Sequence, residues 1–180
     1  MLQILKAPDP VLSQKAKPIG NIDKGVIKLI EQMKVSLASA KDPIGVGLAA
    51  PQIGKSLEIF IAKPSIKSPV YTFINPKIVN KTGTEKSLKE EKIAKLEGCL
   101  SLPDIWGDVK RPSEITLEFR DEFGKTHRKK FKGFLATIIQ HEYDHLNGIL
   151  FPKRVLEQKG TLYKSEKDEK GEDVFEELKI

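Results

Sequence analysis

Cysteine is almost absent from this 180-residue chain: Cys99 stands alone, so no internal disulfide can form. That agrees with a reducing compartment and leaves one thiol for packing, metal binding or catalysis. Long apolar runs are missing as well. None approaches the roughly 20 residues needed to cross a bilayer. The first stretch, MLQILKAPDPVL, soon meets Asp9 between Pro8 and Pro10, so it lacks the apolar core of a signal peptide. The expected location is therefore the cytoplasm, with no membrane partner. Arginine occurs only at Arg111, Arg120, Arg128 and Arg154. No basic motif is interleaved with aromatics, so specific nucleic-acid recognition is not expected. Histidine is scarce too, with three in the chain, and two of them share the short stretch QHEYDHLNG.

What the chain does contain is enough for one sizeable core, at 39% hydrophobic and 31% charged residues, and a single domain over residues 1–180 is the simplest division. The net charge of +6 is unevenly spread: 26 bases face 17 acids in residues 1–156, and five bases face eight acids in the charged tail, residues 157–180. A basic body with an acidic tail allows a polyanionic neighbour, although scattered lysines commonly form no more than a solvated face.

Residues 23–40 repeat apolar side chains at Val26, Ile27, Ile30, Met33 and Leu37, the spacing of an amphipathic helix, and Asp42, Pro43 and Gly45 stop it. LEIFIA (57–62), VYTFI (70–74), EITLEF (114–119) and THRKKF (126–131) read as strands, the last two joined as a hairpin across RDEFGK. Residues 83–95 are charged and weakly patterned, and read as an exposed loop. After Gly133 the run FLATIIQHEYDHLN has no Gly or Pro until Gly148, which predicts a helix. At 100° per residue Phe134, Thr137, Ile138, His141 and His145 share about a third of its circumference, while Gln140 and Tyr143 point elsewhere. The two histidines thus extend an apolar stripe expected to face the core. The fold class is α+β: mixed or antiparallel strands packed around this central HExxH helix, with the 23–40 helix outside.

Histidines at i and i+4 project to one side at the separation a single divalent ion needs, and Glu142 lies near enough to reach a water on that ion. The alternative is a pair of satisfied core histidines beside an exposed glutamate, and a third ligand would decide between them. Downstream of Gly148 there is no histidine, and the glutamates lie in the charged tail. Upstream, Cys99 in LEGCLSLP offers a soft donor, and Gly98 beside it lets the backbone come close and turn. Taken alone, a free cysteine such as Cys99 is more often a small buried hydrophobe. GVGLAAPQ (45–52), with two glycines around Val46 and ending in Gln52, is by itself a weak signal.

GVGLAAPQ, EGCLS and HEYDHLNG, in this order, resemble the three signature motifs of the peptide deformylases. ILKAPDPVLSQKAKPI, INP (74–76) and VKRP (109–112) look like further parts of that family, and the likeness runs from about residue 2 to residue 154. The resemblance implies removal of the formyl group from the N-terminal methionine of nascent polypeptides, with release of formate. It implies Cys99, His141 and His145 as ligands of an Fe²⁺ that Zn²⁺, Ni²⁺ or Co²⁺ can replace, and Glu142 as the general acid/base. The side-chain amide of Gln52 and the backbone N–H of Leu100 would be donors to the developing oxyanion. Gly47 would offer backbone bonds to an extended peptide, beside Gly98. Val46, Phe134 and Ile138 are the candidates for the methionine pocket. The partners implied are N-formylmethionyl nascent peptides and, transiently, the ribosome, although the tail lacks the long amphipathic helix by which some members are thought to reach it.

Two further roles stay open from the residues alone. Glu97 and Arg111 could form an ion pair that fixes the Cys99 loop, or be surface charges. Asp144 could orient a histidine ring or be a solvated helix residue. The rival enzyme is a different HExxH hydrolase such as a peptidase. From another class comes a silent metal-stabilised binding module, against which the glutamate at 142 counts, because a structural site has no need of it.

Overall fold

Ile115, Leu117 and Phe119 are buried in alternation with half-buried neighbours, the signature of a strand with one face on a core. In the computed structural model, which describes residues 2–41, 44–83 and 96–179, that strand belongs to a five-stranded antiparallel sheet. Its order is β1 (Gly47–Ala49), β2 (Ile59–Ala62), β3 (Tyr71–Thr82), β6 (Glu114–Arg120) and β7 (Thr126–Lys132). The 120–125 segment closes β6 and β7 into a hairpin in unbroken register from Glu114–Lys132 to Arg120–Thr126. A second antiparallel sheet contains β4 (Glu97–Cys99), β5 (Leu102–Gly107), β8 (Leu162–Lys167) and β9 (Asp173–Glu177). Residues 84–95, most of the loop expected at 83–95, lie outside the described residues.

Three α-helices are found among the described residues. Helix α1, Lys24–Ser39, begins where the Asp23 carboxylate accepts from Val26 N–H at 2.9 Å, and buries Leu29, Ile30, Met33 and Leu37. Ile27, counted in its apolar face by sequence, is partly exposed, and Leu29 takes that place. Helix α2, Gly133–Leu146, is the HExxH helix, and α3 covers Phe151–Glu157. The fully buried strand β2 explains the layering. Ile59 and Ile61 point into one cluster with Ile30, Met33 and Leu37 of α1, while Phe60 and Ala62 point into another with Ala136, Ile139 and Leu146 of α2. The first sheet therefore lies between the two helices. A smaller third cluster joins Cys99 and Leu162 of the second sheet to Phe151 and Val155 of α3.

Two expectations need correction. Gln140 and Tyr143 do not point away from the core: Gln140 is buried, donating to Pro112 and Ala136 carbonyls at 3.0 Å, and Tyr143 packs against the α2 cluster. The stripe through Phe134 and His141 instead faces a cavity, and Phe134 is 58% exposed. A helix clasped between a sheet and a cleft has two non-solvent faces, so periodicity cannot say which is the core. The charged tail, for which no strand was expected, pairs as β8 and β9, with Leu162 buried under β5 and alternate positions in water.

The N-terminal arm also crosses α2. Ala16 N–H donates to the Leu146 carbonyl at 2.8 Å, and Gly148, at φ +67°, passes so close to Ser13 that a Cβ would sit 2.6 Å from its carbonyl carbon.

Phe73 stacks on Phe60 with ring centroids 4.7 Å apart, lies tilted against Phe119 and meets Phe131 edgewise. Phe73→Ala should lower the unfolding free energy by about 3–5 kcal/mol, whereas Phe123→Ala, in a turn and 87% exposed, should change it by less than about 0.5 kcal/mol. Denaturant titration of both variants is the check, and equal losses would contradict this core.

Candidate metal centre and substrate cleft

Three segments that are far apart in sequence converge on α2. Its one-turn spacing sets His141 and His145 side by side, ring centroids 5.0 Å apart. Strand β4 brings Cys99 to them, and its Sγ lies 3.3 Å from His145 Nε2. One ligand atom from each of Cys99, His141 and His145 falls within 4.8 Å of the others, the arrangement of a three-donor site for one metal ion.

The donor chemistry fits. His141 Nδ1 is engaged by a Glu97 carboxylate oxygen at 3.0 Å, which aims Nε2 away from Glu97 and toward the cluster. Burial alone would raise the Cys99 thiol, but the imidazoles beside it, His145 foremost, hold it well below its ordinary value and favour thiolate. Burial disfavours a charged His141, yet Cys99 and Glu97 together push its pKa well above the usual range, so this pocket is built to hold positive charge. A metal cation held by this group would take the place of that proton.

Glu142 is buried next to the ligands, and its Oε2 has no hydrogen-bond partner among the described residues. Its burial, opposed by the pull of His141 and His145, pushes its pKa up to about 7. Gly47 explains how the carboxyl fits: a Cβ there would lie 2.8 Å from Glu142 Cδ, so only glycine lets β1 pass.

Gln52 is held in the short 3₁₀ turn after β1. Its Oε1 accepts from Ala49 N–H at 2.8 Å, which turns Nε2 toward Ser101 Oγ at 3.2 Å and Cys99 Sγ at 3.6 Å. Leu100 follows Cys99 and lines the cleft, and its carbonyl accepts from Lys6 Nζ at 2.6 Å. The N-terminal arm holds the neighbouring peptides too: Ala7 N–H donates to Ser101 O at 2.9 Å and Leu5 N–H to Gln52 O at 2.8 Å.

Behind the ligands runs a row of buried charge. Arg111 donates to both oxygens of Glu97, at 2.5 and 2.9 Å, and to Asp144 at 3.0 Å. Asp144 also accepts from Arg154, at 2.7 Å for the shorter bond. The Glu97–Arg111 pair is thus buried rather than superficial. Although burial would raise the Glu97 carboxyl, Arg111 and His141 hold it down near about 2. Asp144 is neither solvated nor bonded to a histidine; it links two arginines.

The ligands open onto a cavity of about 530 Å³, a size suited to a peptide end. Val46, Gly47, Gly98, Phe134 and Ile138 line it together with Gln52 and Leu100, so all the expected site residues but buried His145 border one space. Sequence reading missed Ser101 and Trp106. Ser101 lay inside the EGCLS motif, next to the residue that drew attention, and the lone tryptophan of the chain carried no spacing signal.

The family model for polypeptide deformylase matches residues 1–161. The chain belongs to this family. It is 44% identical over 160 residues to the peptide deformylase of Chlorobium luteolum, covering 86% of this chain and 78% of that one. To the peptide deformylase of Prochlorococcus marinus strain MIT 9312 it is 44% identical over 158 residues, covering 86% and 73%. Among solved structures, the peptide deformylase of Thermus thermophilus is similar with a TM-score of 0.77 at 38% identity, covering 88% of each chain. That of Synechococcus elongatus in complex with actinonin gives 0.76 at 37%, covering 85% and 79%. Within the deformylase family match lie all the residues discussed so far in this cleft; β8 and β9 lie beyond it.

Replacing Arg111 with Met should strand the Glu97 carboxylate in the interior and cost about 3–5 kcal/mol of stability, as for other broken buried pairs. Thermal and denaturant unfolding of Arg111→Met, compared with Arg128→Met on the exposed edge strand, tests this. Equal effects would mean that the buried row is not what holds β4.

Proposed function

We propose that this cleft is where the chain removes the N-formyl group from nascent polypeptides, the reaction of its family, and that Cys99, His141 and His145 hold the divalent ion on which the reaction depends. The observation that carries the reading is the meeting of three donor atoms within 4.8 Å, beside a buried carboxyl whose Oε2 has no hydrogen-bond partner among the described residues, at an open cavity. When bound, the ion supplies Lewis acidity and an activated water near neutral pH. In this reading Fe²⁺ is the native ion, with Zn²⁺, Ni²⁺ or Co²⁺ able to replace it, since a Cys/His₂ set accommodates each. The cytoplasm is the site of action, with transient contact at the ribosome.

The chain's own residues divide the rest of the work. Glu142, buried at the cavity wall with its Oε2 unpartnered among the described residues, takes the proton from the attacking water and returns it to the departing amine. Gln52 Nε2 has one hydrogen on Ser101, while the other is only loosely engaged by sulfur, and that hydrogen together with Leu100 N–H meets the oxygen of the formyl group as charge develops there.

The peptide is held by main chain. β1 ends one sheet and β4 ends the other, and both border the cavity, through Val46 and Gly47 on one side and Glu97 to Cys99 on the other. An extended peptide entering between them can pair with a sheet edge as an added strand. Val46, Ile138 and the exposed ring of Phe134 then offer an apolar berth to the first side chain, which accounts for a hydrophobic residue lying open to water at Phe134.

Protein prepared anaerobically with Fe²⁺ should release formate from formyl-Met peptides and leave unformylated peptides uncut; cleavage of the latter would indicate a peptidase instead. Formyl-Asp peptides should be much poorer substrates, and comparable kcat/KM values would sink the pocket assignment. Glu142→Gln should keep metal content and melting temperature but lose at least about a hundredfold in kcat, because an amide cannot take the proton. Cys99→Ser should instead lose most of the metal. Near-normal turnover in the first variant, or a full equivalent of tightly held metal in the second, would show that the roles are wrongly assigned.

A further inference from the structure

The indole of Trp106 forms part of the cavity wall, and its support comes from residues beyond the family match. Trp106 lies on β5, paired with Gly98 of β4 on one side and Tyr163 of β8 on the other. The ring packs so closely over Gly98 that a Cβ there would lie 2.8 Å from the nearest indole carbon. On the far side, the indole N–H donates to Ser165 Oγ at 3.0 Å, and the ring meets Phe175 edge to face at 5.8 Å. Ser165 and Phe175 are directly opposed in the β8–β9 ladder. Gly98, Trp106, Ser165 and Phe175 thus lie on the same face of the second sheet, Ser165 being two residues on from Tyr163 and diagonal to Trp106.

That face is the one opposite the metal ligand. Glu97 and Cys99 alternate with Gly98 along β4 and point toward α2, while Gly98 points toward Trp106. A peptide added along the β4 edge alternates in the same way. If its first side chain turns to the α2 side, its second turns to the Trp106 side.

We propose that the β8–β9 hairpin is a positioning element of the substrate cleft: through Ser165 and Phe175 it holds the Trp106 indole over Gly98, and the indole selects the second side chain of the formylated peptide. This rests on the deformylase reading above. The residue beneath the indole, Gly98, offers it only backbone. The hydrogen bond to Ser165 fixes the direction of the ring, and the edge contact with Phe175 fixes its tilt. The surface so held is flat and apolar, suited to an aromatic or large aliphatic side chain and indifferent to alanine. Ser165 and Phe175 touch no substrate and act only through Trp106.

The test compares formyl-Met-Phe-Ser with formyl-Met-Ala-Ser as substrates of the Fe²⁺ protein, together with acrylamide quenching of tryptophan fluorescence, which reports Trp106 alone because the chain has one tryptophan. Wild type should prefer the Phe peptide. Ser165→Ala and Phe175→Ala should each cut that preference by about three- to tenfold through KM for the Phe peptide, with kcat on the Ala peptide unchanged and quenching increased. Phe175→Tyr should restore both, and Val174→Ala, on the exposed face of the hairpin, should alter neither. Unchanged quenching and an unchanged Phe to Ala ratio in Ser165→Ala overturn the proposal, and this variant decides the matter even if Phe175→Ala does not fold. No formate release by wild type from either peptide would instead defeat the deformylase reading, while the quenching still reports whether the hairpin holds the ring.

Discussion

A single buried carboxylate ties the two halves of the site together. Glu97 sits on β4, two residues before Cys99, and it bonds at once to His141 on α2 and to Arg111 after β5. Burying a carboxylate is expensive, and the cost is offset only while both partners remain in place. The consequence is geometric. Cys99 cannot move relative to the histidines without breaking a charge-assisted bond in the interior, so the three donor atoms stay together whether or not an ion is between them. Asp144 extends the arrangement to Arg154 on α3, so the third helix is bound into the same row.

Close approach is the second constraint, and three glycines permit it. Gly47 lets β1 lie against the Glu142 carboxyl, Gly98 lets the indole of Trp106 lie against β4, and Gly107 leaves room for Phe151, Val155 and Leu162 beneath β5. At each of these the missing side chain is replaced by a group from another element. The N-terminal arm adds a third support, because Lys6 and Ala7 hold the carbonyls of Leu100 and Ser101 and so fix the peptides beside Cys99.

The placing of the site at two sheet edges follows from the same packing. β1 and β4 each end a sheet, and exposed edges invite pairing with another chain. Here the two edges face a common cavity instead of bulk solvent, and it is there that the proposed extended substrate would pair. No described helix is long and apolar enough to cross a membrane.

By itself the sequence determined what depends on neighbours along the chain. The α1 and α2 helices, the strands at 57–62, 70–74, 114–119 and 126–131 and the β6–β7 hairpin were legible because periodicity, caps and turns act over a few residues, although β3 runs on to Thr82 past the bulges after Ile74. The HExxH spacing placed two imidazoles on one side of a helix for the same reason. Tertiary structure decided everything that depends on which distant surface comes opposite. It turned the stripe from Phe134 to His141 to a cavity and left His145 buried, because α2 has a sheet on one side and a cleft on the other. It gave Asp144 two arginines, since Arg111 and Arg154 reach it from separate elements. It also drew the charged tail into β8 and β9, because a strand with only alternate residues facing the protein needs few apolar side chains once β5 offers it an edge, and no local pattern in the tail announces that edge.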